Sequence, residues 1–448
     1  MRRGEVLMRQ GDQADALYLV VSGRFAVEVD GRHVAEVGSG APIGEVAFFA
    51  DGRRTATVTA LRDSLVLKLP HAEFLELTES NPAILKPIMV TLARRLADSL
   101  AGEDQAGPSH PRTIAVINAG PWPVPEVFRR ELTRALVRYG EVASIDANSV
   151  AAAFPEDPML ESDGVITWLN KQEVRYHYVL YFADVELTPF SRKAIRQADQ
   201  LILVGKHETG GARINALESF AFDIHSPAAR RLVLLHDARG PVSGTARWLD
   251  QRPCALHHHM VVGEEADYDR LARLISGNAI GFVAGGGGAL CAAHIGVFSA
   301  LSDAGLSFDL FGGASGGGAM AAAFAMGASP EEVSRRTADI FLAARAMKRI
   351  TWPRYSLLDH TVFDRALKRH YGEADVEDLW TGYFAVAACL ATNALCLITR
   401  GPVWKAVRDE LDSRASASRL SRGRPNDGRR LAARQRAGQV DAHAEERP

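Results

Sequence analysis

The 448-residue chain has few cysteines, little net charge and no long uninterrupted apolar run. Each shortage excludes something. Its four cysteines, Cys254, Cys291, Cys389 and Cys396, form no C-x-x-C pair. Neither a zinc site nor a disulfide framework is suggested, and the usage fits a reducing cytosol. A net charge of −2 argues against a protein that holds nucleic acid by bulk electrostatics. The N-terminal MRRGEVLMRQGDQ lacks the apolar stretch of a secretory signal. The most apolar long window, Ala279 to Leu301, is interrupted by Gly285 to Gly288 and contains His294. A strand, a glycine loop and a buried helix suit it better than a membrane span, which needs about 20 mostly apolar residues. No internal repeat is visible.

What is present falls into blocks. Tyr18 to Gly23, Arg24 to Asp30 and Thr55 to Leu61 read as short strands punctuated by Asp30-Gly31 and Asp51-Gly52. Such spacing predicts a small β-barrel or jelly roll. A helical pattern runs from His71 to about Leu100, and residues 101–112 read as a linker. Residues 113–277 alternate strands and helices, which predicts a parallel, doubly wound layer. That layer has no G-x-x-x-x-G-K-[ST] or G-x-G-x-x-G, so nucleotide binding has little support there. A second α/β unit runs over residues 278–408. Residues 409–448 contain no aromatic residue and many arginines, and are expected to be largely disordered.

Two stretches carry chemistry. In the first, Ile43 to Val58, a glycine-acid pair is joined to an arginine by a short turn. Backbone N–H groups after Gly44 can cradle a phosphate, Arg54 can add a charge-assisted hydrogen bond, and Glu45 can accept from a ribose 2′-hydroxyl. In this stretch Gly44, Glu45, Ala47, Arg54 and Ala56 resemble the cassette of the cyclic nucleotide-binding domain family, a resemblance that runs from about Gly4 to Leu100 and marks residues 1–100 as that domain. It implies phosphate contacts from Gly44, Arg54 and Thr55 and a ribose contact from Glu45, with cyclic AMP or cyclic GMP as a regulatory ligand. A barrel that binds no nucleotide is the alternative. A regulator of the cyclic-AMP receptor type would need a helix-turn-helix directly after Leu100, where the chain has a linker.

The second stretch holds two strand–glycine turn–helix units, Gly281 to Leu301 and Leu310 to Gly327. In the second unit Gly313-Ala314-Ser315-Gly316-Gly317 satisfies G-x-S-x-G, the turn that presents a serine hydroxyl at a helix N-terminus. Gly286, Gly287 and Gly288 can bring N–H groups to a tetrahedral oxyanion. Here the chain resembles the patatin-like phospholipases, and more closely the bacterial relatives of neuropathy target esterase, which join a cyclic nucleotide-binding domain to a patatin domain through an α/β region. Ser356 to Gly372, Val376 to Trp380 and Arg400 to Arg408 support this. The resemblance implies hydrolysis of phospholipid or lysophospholipid esters by a Ser–Asp dyad, with neither metal nor catalytic cofactor. Ser315 would be the nucleophile, Gly286 to Gly288 the oxyanion loop, and Gly313 and Gly317 the elbow. A cytoplasmic protein with peripheral contact at the inner membrane face follows, as does a structural role for His294 and for His257 to His259.

The expected architecture is therefore multidomain α/β: a jelly-roll barrel, an α/β linking region and a C-terminally incomplete patatin-like domain. Two departures from the family stand out. Leu290 and Cys291 replace an arginine and a glycine, and a Cβ at Cys291 is strained if φ is positive there. The D-G-[GA] motif that carries the dyad's aspartate is missing. Asp427-Gly428 is the one Asp-Gly pair after Arg408, and it matches a turn rather than the catalytic strand. A frameshift or truncation near Asp409 would explain the change, and a catalytically impaired chain is the alternative function.

Overall fold

The computed structural model describes residues 1–81 and 113–340, except 39, 51, 158, 161 and 212, together with 360–389 and 394–411. The expected linker, the second half of the helix before it, and the arginine-rich tail with Asp427 lie outside the described residues. Two compact units emerge: Met1–Gly240 with Gly244–Ala279, and Pro241–Ser243 with the chain from Ile280.

The first unit begins with seven strands: β1 (Val6–Met8), β2 (Ala16–Ser22), β3 (Arg24–Val29), β4 (Arg32–Gly38), β5 (Pro42–Ile43), β6 (Thr57–Ala60) and β7 (Leu65–Pro70). Asp30 and Gly31 both take positive φ, at 50° and 72°, so they close the β3–β4 hairpin with the twist its strands prefer. Antiparallel sheets β1-β6-β3-β4 and β5-β2-β7 enclose Val20, Phe25, Ile43, Val58 and Ala60. Helices α1 (Glu45–Phe49) and α2 (His71–Ser80) meet through Phe48, Phe49 and Phe74, whose rings pack edge to face. The predicted β-barrel is borne out.

A six-stranded parallel sheet follows, in the order β13-β12-β11-β8-β10-β9. Its strands are β8 (Thr113–Asn118), β9 (Val142–Ile145), β10 (Tyr178–Phe182), β11 (Gln200–Lys206), β12 (Arg230–His236) and β13 (Leu256–Val261). β8 and β10 are buried at every residue, because helices cover both faces. α3 (Glu126–Leu136) and α9 (Glu265–Ser276) seal one face with Phe128, Leu132, Tyr268 and Leu271. Between them in sequence lie α4 (Ala147–Ala153), α5 (Asp163–Arg175), α6 (Pro189–Gln197), α7 (Ala216–Ile224) and α8 (Ala246–Gln251). α6, α7 and α8 cover the other face through Ile195, Leu217 and Trp248.

Barrel and layer are joined by a buried ion cluster. Arg62, in the β6–β7 turn, binds both Glu173 oxygens at 2.9 Å, Asp199 at 2.9 Å and the Gln197 carbonyl at 2.8 Å. Burial works against the Arg62 charge, but Asp199 and Glu173 more than offset it and raise its pKa. Nothing in the sequence pattern marks this joint.

The second unit has the sheet β14-β15-β16-β17, of β14 (Gly281–Ala284), β15 (Leu310–Ala314), β16 (Gly382–Cys389) and β17 (Ala394–Ile398). The first three strands are parallel and β17 is antiparallel. Its helices are α10 (Ala293–Asp303), α11 (Gly316–Ala325), α12 (Pro330–Ala338), α13 (His360–Tyr371) and α14 (Val403–Leu411). Phe282, Phe311 and Tyr383 point into the core. Val283 and Leu397, on the opposite face, are exposed. One expectation fails here: the helix after the glycine loop, α10, has no buried residue. It forms an outer layer that touches the core only partly, through Ile295 and Phe298, while α11 occupies the buried position. No helix among the described residues is long and apolar enough to cross a membrane.

Candidate active site and ligand pocket

β15 ends at Ala314 and α11 begins at Gly316, which leaves Ser315 in the corner with φ 54° and ψ −135°. A serine rarely adopts positive φ, and such strain persists where the surroundings over-determine it. Here they do. All ten residues of α11 are buried. A Cβ on Gly317 would lie 2.3 Å from the Gly285 carbonyl oxygen and 2.5 Å from that of Ala284, so the helix can approach β14 only as glycine. Tyr371 and Tyr383 donate from their hydroxyls to Ala319 O at 2.7 Å and Gly318 O at 3.1 Å, bracing the first turn of α11. Sequence reading missed both. The available signal was weak: a buried tyrosine needs an acceptor for its hydroxyl.

The two glycine turns meet at Ser315. The position of a Cβ on Gly286 would lie 3.2 Å from Ser315 Cβ and 3.9 Å from its Oγ. Gly288 opens a 3-10 turn, Gly288–Ala292, with Gly287 as its cap. Amides at the start of such a turn have no intrahelical acceptor and are free for a ligand oxygen. Cys291 lies within this turn, and it is not among the described residues with positive φ. Its Cβ is therefore unstrained, and its thiol is buried beside the Gly285 carbonyl. Leu290 is 83% exposed. Asp427 lies outside the described residues, and no aspartate among the described hydrogen bonds reaches Ser315.

In the barrel, Gly44, Glu45, Arg54 and Thr55 line one cavity of about 190 Å³ together with Val27, Val37, Ile43 and Ala47. Gly44 caps α1 with φ 82°. Arg54 is engaged by the protein itself, donating to Gly44 O at 3.1 Å, Ala16 O at 2.6 Å and Asp15 at 3.3 Å. The hydrogen bond from Lys68 holds the Asp15 carboxyl below its ordinary range against the opposing effect of burial, and Arg54 adds a lesser pull in the same direction. Arg54 is thus aimed at Gly44 beside the cavity and shared with Asp15.

The parallel layer is closed where open α/β sheets usually hold ligands, between β8 and β11 at their carboxyl ends. Glu218 of α7 accepts there from Gly120 N at 3.1 Å and Asn215 N at 3.0 Å, and pairs with the wholly buried Arg252 at 2.6 Å. A carboxylate of the chain thus takes amides of this corner for itself. Nearby, His236 Nε2 lies 2.9 Å from His259 Nδ1 and stacks on His207 at 4.6 Å. Burial, and next His207, pushes the His236 pKa down to about 4. His258 and His259, adjacent in β13 and on opposite faces, are both buried and His257 is half-buried, because the sheet is covered on both sides. No group of three or more His, Cys, Asp or Glu among the described residues is arranged to hold a metal.

Family models divide the chain in three. Residues 1–81 match the cyclic nucleotide-binding domain, and 110–276 the neuropathy target esterase family P-loop like domain. Residues 282–430, which include both glycine turns and Ser315, match the patatin-like phospholipases. The chain carries a patatin-like phospholipase domain. Mouse patatin-like phospholipase domain-containing protein 7 is 29% identical over 90% of this chain and 34% of its own length. Human patatin-like phospholipase domain-containing protein 6 is 28% identical over 90% of this chain and 33% of its own. Neuropathy target esterase sws of Drosophila willistoni is 27% identical over 92% and 31%. The chain spans about a third of the length of these relatives. The resemblance to neuropathy target esterase is therefore borne out across all three segments, with Ser315 in the patatin-like segment.

Proposed function

We propose that this chain is a serine esterase acting on phospholipids or lysophospholipids, with a cyclic nucleotide as regulatory ligand. The observation that carries the reading is Ser315 at positive φ, between a buried helix and a glycine loop. Ser315 Oγ attacks the acyl carbonyl, and Gly286 to Gly288 supply N–H donors to the oxyanion. Water then resolves the acyl-enzyme. An aspartate, as the family's Ser–Asp dyad implies, takes the serine proton and returns it to the leaving alcohol. Leu290, exposed beside the loop, suits contact with an acyl chain or a lipid surface. In the barrel, Gly44, Arg54 and Thr55 would take the phosphate of cyclic AMP or cyclic GMP, and Glu45 the ribose.

One observation favours a second reading, a catalytically impaired chain that senses nucleotide or holds lipid: the sequence lacks D-G-[GA] after Arg408. A fluorophosphonate probe separates the two. Labelling that is lost in Ser315→Ala supports the esterase. Folded wild-type protein that stays unlabelled supports the impaired chain.

A further inference from the structure

We propose that His294 is a positioning residue for the oxyanion loop, acting through the Gly285 carbonyl. The inference builds on the esterase reading above. His294 Nε2 lies 3.0 Å from Gly285 O, and the Cys291 thiol reaches the same oxygen at 3.5 Å. A carbonyl oxygen only accepts, so His294 carries a proton on Nε2. The carbonyl of Gly285 and the N–H of Gly286 belong to one planar trans peptide and point in opposite directions. Fixing the oxygen therefore fixes the direction of the Gly286 N–H, in the glycine that packs against Ser315.

The anchor is needed because glycine on both sides of this peptide leaves it free to rotate. On one side it is confined by α11, whose Gly317 leaves no room for a Cβ against the Gly285 oxygen. On the other side, His294 supplies the hydrogen bond from a helix fixed by Ile295 and Phe298 against the core. Phe298 stacks on Phe324 of α11 at 3.8 Å, so the helix bearing the anchor and the helix bearing the nucleophile are packed together. The sequence fits this division of labour: where the family has an arginine and a glycine, Leu290 points to solvent and Cys291 adds a second, weaker donor.

The test compares wild type, His294→Ala, His294→Gln and Ser315→Ala in two assays. Hydrogen exchange over the peptide from Gly285 to Ala292 reads the loop directly and needs no activity. Fluorophosphonate labelling and nitrophenyl-ester hydrolysis read the chemistry. Exchange in His294→Ala should be at least about 10-fold faster, and His294→Gln, whose amide reaches a similar point, should be near wild type. Labelling and kcat should fall at least about 10-fold in His294→Ala with KM little changed, since one oxyanion donor is worth roughly 10²–10³ in rate. Unchanged exchange in His294→Ala overturns the inference, whatever the labelling. Faster exchange in a wild-type background that never labels keeps the anchor and removes the esterase reading. Faster exchange with undiminished labelling overturns the catalytic part. Should His294→Ala fail to fold, His294→Asn, too short to reach the carbonyl, gives the same contrast with Gln.

Discussion

In the six-stranded sheet, the loop after the first strand runs through Gly120, Pro121, Pro123 and Pro125, and its Gly120 amide is taken by Glu218. In the four-stranded sheet, the corresponding loop is four glycines, and it lies against Ser315. Both are strand–turn–helix corners of parallel sheets. Prolines remove donors, and an internal carboxylate takes the Gly120 amide. Glycines keep the donors and let another backbone come close. The first sheet is covered on both faces and closed at its ligand-binding end. The second has an exposed face and strained backbone at its corner. A closed corner and an open one are thus found on different sheets of one chain.

The largest effect that could break this comparison belongs to Ser315. Ser315→Ala should lower any ester hydrolysis at least about 10³-fold while the protein keeps its melting temperature. Unchanged turnover of a nitrophenyl ester would place the chemistry elsewhere. Next comes the closed corner. Glu218→Ala strands Arg252 without its buried partner, and the expected loss is about 3–5 kcal/mol in chemical denaturation. A loss below about 1 kcal/mol would mean the plug is not a structural element.

Acid should weaken the first unit. His225 and His236 have folded pKa values pushed down to about 4, mainly by burial. Groups depressed on folding leave stability intact above the unfolded value near 6.5, and it falls as pH drops from there toward 4. For His225, which is 1% exposed, the loss is at most about 3 kcal/mol. Thermal melts at pH 7 and pH 4.5 measure it, and His225→Asn should flatten the slope.

The smallest expected effect concerns the barrel. Arg54→Ala should weaken cyclic AMP binding about 10- to 100-fold, the range of one charge-assisted hydrogen bond. Asp15→Asn should strengthen it, because Asp15 competes for the guanidinium. Calorimetry on both variants sharpens the reading, and equal affinities would remove the nucleotide site.

Much of this was legible in the sequence because local rules agree with the tertiary outcome. Asp30-Gly31 announces its hairpin, and G-x-S-x-G with a preceding glycine run announces the elbow. What was not legible depends on partners distant in sequence. Glu218 reads as an ordinary capping-box residue of α7 until Arg252 and Gly120 are placed around it. Tyr371 and Tyr383 lie over 50 residues from the carbonyls they brace. The exposure of α10 could not be inferred from its apolar composition, since α11 competes for the same buried position and, being almost all glycine and alanine, fits it better.

Arg62 has a mechanical consequence. The chain leaves the barrel cavity at Thr55, runs through β6, and seven residues later meets Glu173 and Asp199. β6 is laced to β1 and β3 on either side, so it behaves as a connecting rod rather than a hinge. Displacing Thr55 would load the charged socket around Arg62, the contact that ties the barrel to the α/β layer.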